Sequence, residues 1–428
     1  MAGPSYPKSG TRFKADLQDN AEPQTRQLMR ILFANIVYPT PLNPKIVGGA
    51  EVSVKALAET FASMGHAVAV IRGHDSGLPD SFEVVNGVEV HSFNIRNFYW
   101  PFDHTPRGKL KKLIWHVVDN LGLAPKGVDR VFDEFKPDVV HTNNIIGLSW
   151  GIWRKAHQRN IPIMHVLRDY YLSCGRSARF KHNAICETTC RDCKIATYKR
   201  SAMTKLVQGV SGNSLAILNI HLQEGLFANA RLKTNIANIA VPREIERVPS
   251  QTLRFGFIGR ASVEKGLEFL VTSYGGTRYD CQLVIAGEAR EEVRSELQAL
   301  SGKPIKFLGF VPPESFYAQV DVVVVPSLWA EPLPRAVLEA YSYGLPVLGS
   351  DRGGIPEAIG NAGGGWLFDP RKIDSLTALM DMLCADPLLL DHASTKAKER
   401  AEDFSQEKIV AQHFAALKEL VGHEGSSR

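Results

Sequence analysis

No stretch of this chain is apolar over the length needed to cross a bilayer, so no transmembrane helix is expected. Residues 1–27 are polar and mixed in charge. They lack the apolar core of a secretory signal, so they read as a loose tail and the protein as cytoplasmic. Cysteine is scarce, six in 428 residues, and disulfides are disfavoured in a cytoplasmic chain in any case. Charge of one sign is also weak. A formal net charge of +5 is no evidence for nucleic-acid binding, and no nucleic-acid partner is expected. The G-x-G-x-x-G spacing of a dinucleotide binder is missing where it would be looked for, so nothing calls for NAD.

What is present is enough apolar residue, 44%, to build two ordinary cores. Order is expected from residue 28 or 29. MRILFANIVYP reads as a strand, Gly48-Gly49 as the loop after it, and residues 50–64 as a helix, which makes a βαβ opening. The glycine pair serves either a tight strand–helix turn or the close approach of a ligand to the backbone. FEVVNGVEVHSF reads as a hairpin turning at Asn86-Gly87. PRGKLKKLIWHVVDNLG reads as a basic amphipathic helix, with Leu110, Leu113, Ile114, Val117, Val118 and Leu121 on one face. Such a helix either faces a core or lies on an anionic membrane. Two further strands end in loops that carry His141, Asn143 and Asn144, and Arg168, Asp169 and Tyr170.

Four of the six cysteines follow: Cys174, Cys186, Cys190 and Cys193. Clustered thiols of this kind suggest a structural zinc site, with free thiols and disulfides as the other readings. Four thiolates would close the shell and leave no place for a reactive water. The same insert, 174–205, is basic. Eight lysines and arginines lie between Arg176 and Lys205, opposed by Glu187 and Asp192. It is either a solvated loop surface or a patch for an anionic acceptor or membrane headgroups. PREIERVPSQ, 242–251, reads as a linker between domains.

Beyond it strands and helices alternate, as in a doubly wound parallel sheet. The stretch from Val325 to Ile359 is the most informative. DVVVV reads as a buried strand and leads into a loop with Trp329 and Glu331. A helix carrying Glu339 follows, then the strand PVLGS, then Gly353-Gly354-Ile355-Pro356-Glu357. Both loops fall at carboxyl ends of strands, where open α/β sheets bind ligands. Carboxylates accept bonds from vicinal hydroxyls. Glycine amides at a helix start suit phosphate. A nucleotide sugar needs both.

This stretch resembles the retaining glycosyltransferases of family four, which have the GT-B fold. The resemblance rests on Glu331 and Glu339 eight positions apart, the flanking PS-x-W, the EA-x-S-x-G-x-PV run and the G-G-x-x-E loop. It implies two Rossmann-like α/β domains facing a cleft: an acceptor-side domain over 28–242 and a donor domain over 251–405. A last helix, within 406–428, crosses back. It also implies transfer of a sugar from a nucleotide diphosphate sugar, UDP- or GDP-linked, to a hydroxyl of a glycan or lipid-linked acceptor, with retention of configuration. The context implied is surface polysaccharide or glycolipid assembly.

By the same resemblance Arg260 and Lys265, in a G-R-x4-K-G pattern, hold the diphosphate. Glu331 holds sugar hydroxyls and Glu339 the ribose. Gly48, Gly49, Gly259, Gly287, Phe310, Val311, Gly353, Gly354 and Ile355 lie along the donor. His141, Asn143, Arg168 and Asp169 lie on the acceptor side. No D-x-D motif calls for a divalent cation, so no cofactor is expected for catalysis. Two departures stand out. Arg168-Asp169 replaces the family's common His-Asp, and a fixed cation there suits a phosphate or acidic sugar, or pairs with Asp169. Pro334 replaces a glycine near the first glutamate and removes one backbone donor. A GT-B epimerase acting on UDP-sugars and a non-catalytic nucleotide-sugar-binding scaffold are the alternative functions.

Overall fold

The computed structural model describes residues 28–425 apart from 44–48, 75–77 and 104. Ten strands precede the linker: β1 (Arg30–Ala34), β2 (Ala67–His74), β3 (Ser81–Val85), β4 (Val88–Asn94), β5 (Val139–Thr142), β6 (Ile163–Leu167), β7 (Phe180–Lys181), β8 (Ala184–Ile185), β9 (Gly209–Gly212) and β10 (Leu232–Asn235). Six follow it: β11 (Leu253–Ile258), β12 (Cys281–Ala286), β13 (Ile305–Gly309), β14 (Val322–Val325), β15 (Val347–Ser350) and β16 (Gly365–Phe368).

The first sheet runs β10-β9-β6-β5-β1-β2-β4-β3, parallel except for β3. β5 and β6 are buried along their whole length, as expected of strands covered by helices on both faces. β3 is the antiparallel edge. It reaches β4 through Asn86 and Gly87, both left-handed at φ 51° and 80°, the conformation a two-residue hairpin turn requires. The second sheet runs β13-β12-β11-β14-β15-β16, all parallel. Strand order reverses between β1 and β5 in one sheet and between β11 and β14 in the other. Ligand crevices form at such points, beyond the carboxyl ends of the strands. The protein is therefore two Rossmann-like α/β domains.

The last helix, Gln406–Gly425, returns to the first sheet. Its Ile409, Val410, Leu417 and Leu420 pack in one core with Phe33, Phe61 and Met164. The segment between β10 and β11 holds no regular element. It joins the second domain early, for Ala240 already packs against Val337 and Tyr341. No helix among the described residues is long and apolar enough to cross a membrane.

Candidate functional site

On one side of the reversal point of the second sheet three glycines, Gly259, Gly287 and Gly309, end the adjacent strands β11, β12 and β13. Gly287, after β12, donates to the carbonyl of Gly309 at 2.7 Å. A Cβ on it would lie 1.9 Å from the Gly259 carbonyl, so the backbones meet directly and any side chain is excluded. The loop after β11 then runs to Lys265-Gly266. Gly266 is left-handed at φ 72°, and a Cβ there would strike the Pro326 carbonyl at 1.9 Å. Leu328 N donates back to Glu264 O at 2.9 Å. These contacts clamp the loops after β11 and β14 together.

The clamp places Lys265 Nζ 2.6 Å from Glu331 Oε1. Ser327 donates its hydroxyl to Glu331 Oε2 at 2.5 Å. Glu331 is buried, so its charge is held by a fixed cation and a hydroxyl rather than by water. An ammonium has three donors, and this pairing uses one. Lys265 also lies 5.6 Å from the Trp329 ring. The Trp329 Nε1–H is buried and has no partner among the described residues. Arg260, on the same loop, is exposed and makes no ion pair among the described residues. One cation thus holds the buried carboxylate, with the Trp329 ring near that cation and Arg260 exposed on the same loop as Lys265.

Glu339 sits in the helix Arg335–Ser342. Its carboxylate accepts from the Tyr317 hydroxyl at 2.9 Å and from Arg335. Burial, with Glu339 next to it, pushes the Tyr317 phenol well above its usual range, so the hydroxyl stays a donor. Phe310 follows β13 and is 83% exposed, while Val311 is half-buried. A cavity of about 410 Å³ opens beside Phe310, walled by Ala261, Glu288, Arg290 and Arg294.

The Gly354 amide is not bare as the sequence suggests. Gly354 N donates to Glu331 O at 2.7 Å, and Ile355 N to Arg352 O at 3.1 Å. The pair is needed for close approach instead. A Cβ on Gly353, left-handed at φ 55°, would lie 2.3 Å from Glu331 O, and one on Gly354 would lie 2.0 Å from Pro332 O. The glycine loop therefore shapes the backbone that carries Glu331.

The first domain meets this loop directly. Tyr170 donates its hydroxyl to Ala330 O at 2.8 Å, and Ser214 donates its own to Pro332 O. Glu357 accepts from Leu215 N at 2.7 Å and from the Asn235 amide. The acid of G-G-x-x-E is thus an interdomain latch, a role that spacing alone did not reveal. A Cβ on Gly49 would lie 3.0 Å from Arg335 Cδ, so this glycine faces the donor domain. Gly48 lies outside the described residues.

Two acceptor-side expectations change. His141 does not face the cleft. It is fully buried, 3.4 Å from His413 of the last helix, with its ring 4.7 Å from that of Phe33 and tilted 43° to it. Burial, with His413 and Arg168 nearby, pushes its pKa well below the usual value and keeps it neutral. It carries the side chain onto the face of β5 that the returning helix covers. Arg168 and Asp169 form no ion pair with each other. Arg168 Nε donates to Asn143 Oδ1 at 2.9 Å, and its guanidinium also reaches Asn238. Burial lowers its pKa to about 10, which leaves it cationic at neutral pH. Asp169 accepts from Tyr171 N at 2.8 Å, and burial raises its pKa to about 6.

The cysteines are free thiols. Cys174 and Cys193 come together, Sγ to Sγ 3.8 Å, and Arg176 N points at Cys174 Sγ from 3.4 Å. Cys186 and Cys190 line the same cavity as that pair; among the described residues no three histidine, cysteine, aspartate or glutamate side chains are grouped to hold a metal ion. The basic insert is also less exposed than its composition suggests. Arg179 is buried against Glu224 and the carbonyls of Cys186 and Glu187, and Arg200 is buried against Asp119.

Comparison with known proteins agrees with this geometry. Residues 240–400 match the family model "Glycosyl transferases group 1", and residues 48–190 match "Glycosyl transferase 4-like domain". An uncharacterized 42.6 kDa protein in the cps region of Klebsiella pneumoniae is 31% identical over 333 residues, which is 77% of this chain and 87% of that protein. Among solved structures, sucrose-phosphate synthase from Thermosynechococcus elongatus superposes with a TM-score of 0.69 at 19% identity, over 92% of this chain and 99% of its own. Anabaena HepE, in complex with UDP and glucose, superposes with a TM-score of 0.64 at 19% identity, over 91% of this chain and 100% of its own. With a lysine–glutamate pair at the reversal point of a second Rossmann-like sheet and family models on both halves, the chain belongs to the group 1 glycosyltransferases of the GT-B fold.

Proposed function

We propose that the protein transfers a sugar from a nucleoside diphosphate sugar to a hydroxyl of a glycan or lipid-linked acceptor, with retention of anomeric configuration, at the cytoplasmic face of a membrane. The observation that carries this is the buried Glu331 held by Lys265, on the loop that also carries the exposed Arg260. Lys265 and Arg260 stabilise the diphosphate as it gains charge on leaving. Arg suits a two-pronged phosphate contact, and Lys acts as a point charge. Glu339 and Glu331 accept bonds from ribose and sugar hydroxyls, and the Trp329 N–H is available to a sugar oxygen. Phe310 and the cavity beside it suit the base. HepE is seen with UDP and glucose, which favours a uridine donor here.

In this mechanism the C–O bond to the diphosphate breaks on the face from which the acceptor oxygen approaches. The new C–O bond forms on that same face, and the hydroxyl proton passes to a phosphate oxygen. Among the described residues Glu331 is already tied to Lys265 and Ser327, which suits a sugar-holding carboxylate better than a free nucleophile.

The test incubates the protein with UDP- and GDP-sugars and a lipid and glycan extract, then reads product configuration by proton NMR. Transfer with the donor's configuration is expected. Interconversion of free UDP-sugars without acceptor would show an epimerase instead. Donor binding with no turnover over any acceptor would show a scaffold.

A further inference from the structure

The helix Lys109–Asn120 turns its apolar stripe outward. Leu110 is 70% exposed and Val117 54%, and Leu113, Ile114 and Leu121 are exposed with them. Its opposite side holds the protein. Trp115 donates its Nε1–H to Tyr99 O at 3.0 Å, and Asp119 is buried against Arg200 at 3.1 Å. At 3.6 residues per turn, Lys109 and Lys111 flank the stripe on either side. The neighbouring helix Arg191–Ala202 adds Ile195, 69% exposed, and Tyr198, beside the exposed Arg191 and Lys194. Asn120 ties the two helices together by donating to Ala196 O at 2.6 Å.

An apolar stripe of this size, left in water, is a docking face. We propose that it docks on a bilayer carrying anionic headgroups, with the stripe among the acyl chains and the flanking lysines at the phosphates. Charge selects this occupant over a protein surface. A cavity of about 920 Å³ beneath the helix is lined by Lys109, Lys112, Arg176 and Lys181 beside Leu113 and Ile146. The acids in its wall, Asp103 and Asp192, are already engaged by Arg107 and Lys181. At twelve residues the helix is far too short to span, so it lies in the interface.

The anchoring gives the surface a consequence for the site. Asp119 accepts from Gly147 N at 3.2 Å, in the loop after β5, and from the Tyr171 hydroxyl, in the loop after β6. Those loops carry Asn143 and Arg168. Docking sets the acceptor side of the cleft against the bilayer, which gives the proposed transfer a lipid-borne acceptor. That consequence rests on the proposed function, whereas the docking itself does not.

The test is sedimentation with sucrose-loaded vesicles, of pure phosphatidylcholine or with a third phosphatidylglycerol, without donor or acceptor. Binding to the anionic vesicles alone, weakened by salt, is expected. Replacing Lys109 and Lys111 with Gln should weaken it about 5-fold per lysine, on the order of 25-fold together. Leu110→Gln with Val117→Gln should abolish it while leaving the melting temperature and nucleotide binding unchanged. No binding to anionic vesicles, or binding indifferent to these variants, overturns the proposal. So does a dimer in light scattering that the same variants dissociate, because a second copy would then cover the stripe. Vesicle binding without any transfer would count against the proposed function and not against the docking.

Discussion

Lys265→Met separates the two roles that the site gives this lysine. Removing it leaves the buried Glu331 carboxylate with only Ser327 as partner among the described residues. Breaking a buried ion pair costs about 3–5 kcal/mol. Lys265 is about one-fifth exposed, so roughly 2–3 kcal/mol is the expectation here, or a fall in melting temperature of roughly 4–12 °C for a domain of this size. In the proposed function the lysine's remaining donors also face the diphosphate. A charge-assisted hydrogen bond contributes about 1.5–3 kcal/mol, so the dissociation constant of UDP or GDP, whichever the wild type binds more tightly, should rise about 10- to 150-fold in calorimetry. The double variant Lys265→Met/Glu331→Gln removes both charges and should recover most of the lost stability. Its nucleotide affinity should stay low. If the double variant bound nucleotide like the wild type, Lys265 would be a structural partner of Glu331 and nothing more.

Three other perturbations follow from named contacts. Asp119→Ala leaves Arg200 buried without its carboxylate, and urea unfolding should show a loss of about 3–5 kcal/mol. Leu with Met at the two positions should cost less. Glu357→Gln weakens the latch between the domains, and hydrogen exchange of the Leu215 amide should speed up about 10-fold or more. Asp169 has a folded pKa of about 6, raised by burial above its unfolded value of 3.8. Its stabilising contribution is therefore complete below pH 3.8 and is lost as pH rises through 6. Asp169→Asn should remove that decline, so the stability difference between wild type and variant should change across this window and be flat above it.

The donor half was legible in the sequence because its signals are local. Glu331, Glu339, Lys265 and the strand-end glycines sit at fixed spacings from strands that identify themselves by composition, and the sheet order puts those loops together. What spacing could not show depends on distant partners. Gly354 looked free because the carbonyl that takes its amide, that of Glu331, lies more than twenty residues back. Glu357 looked like part of a phosphate loop because its partners, Leu215 and Asn235, belong to the other domain. His141 looked like a cleft residue because only the returning helix, with His413, reveals which face of β5 it occupies. In the helix Lys109–Asn120, periodicity shows that a stripe exists and not which way it points. Trp329 was within reach, since the PS-x-W run contains it, but its unpartnered N–H is a property of the packed loop.

The central claim is that the carboxyl ends of β11 to β14 bind a nucleoside diphosphate sugar through Glu339 and Lys265. Thermal shift with UDP-, GDP-, ADP- and TDP-sugars, on the wild type and on Glu339→Ala, tests it most directly. At a hundred times the dissociation constant a ligand adds about 2.7 kcal/mol of stability. One nucleotide should raise the wild type's melting temperature and leave Glu339→Ala unmoved. A shift of equal size in both proteins, or none with any nucleotide sugar, would contradict the account.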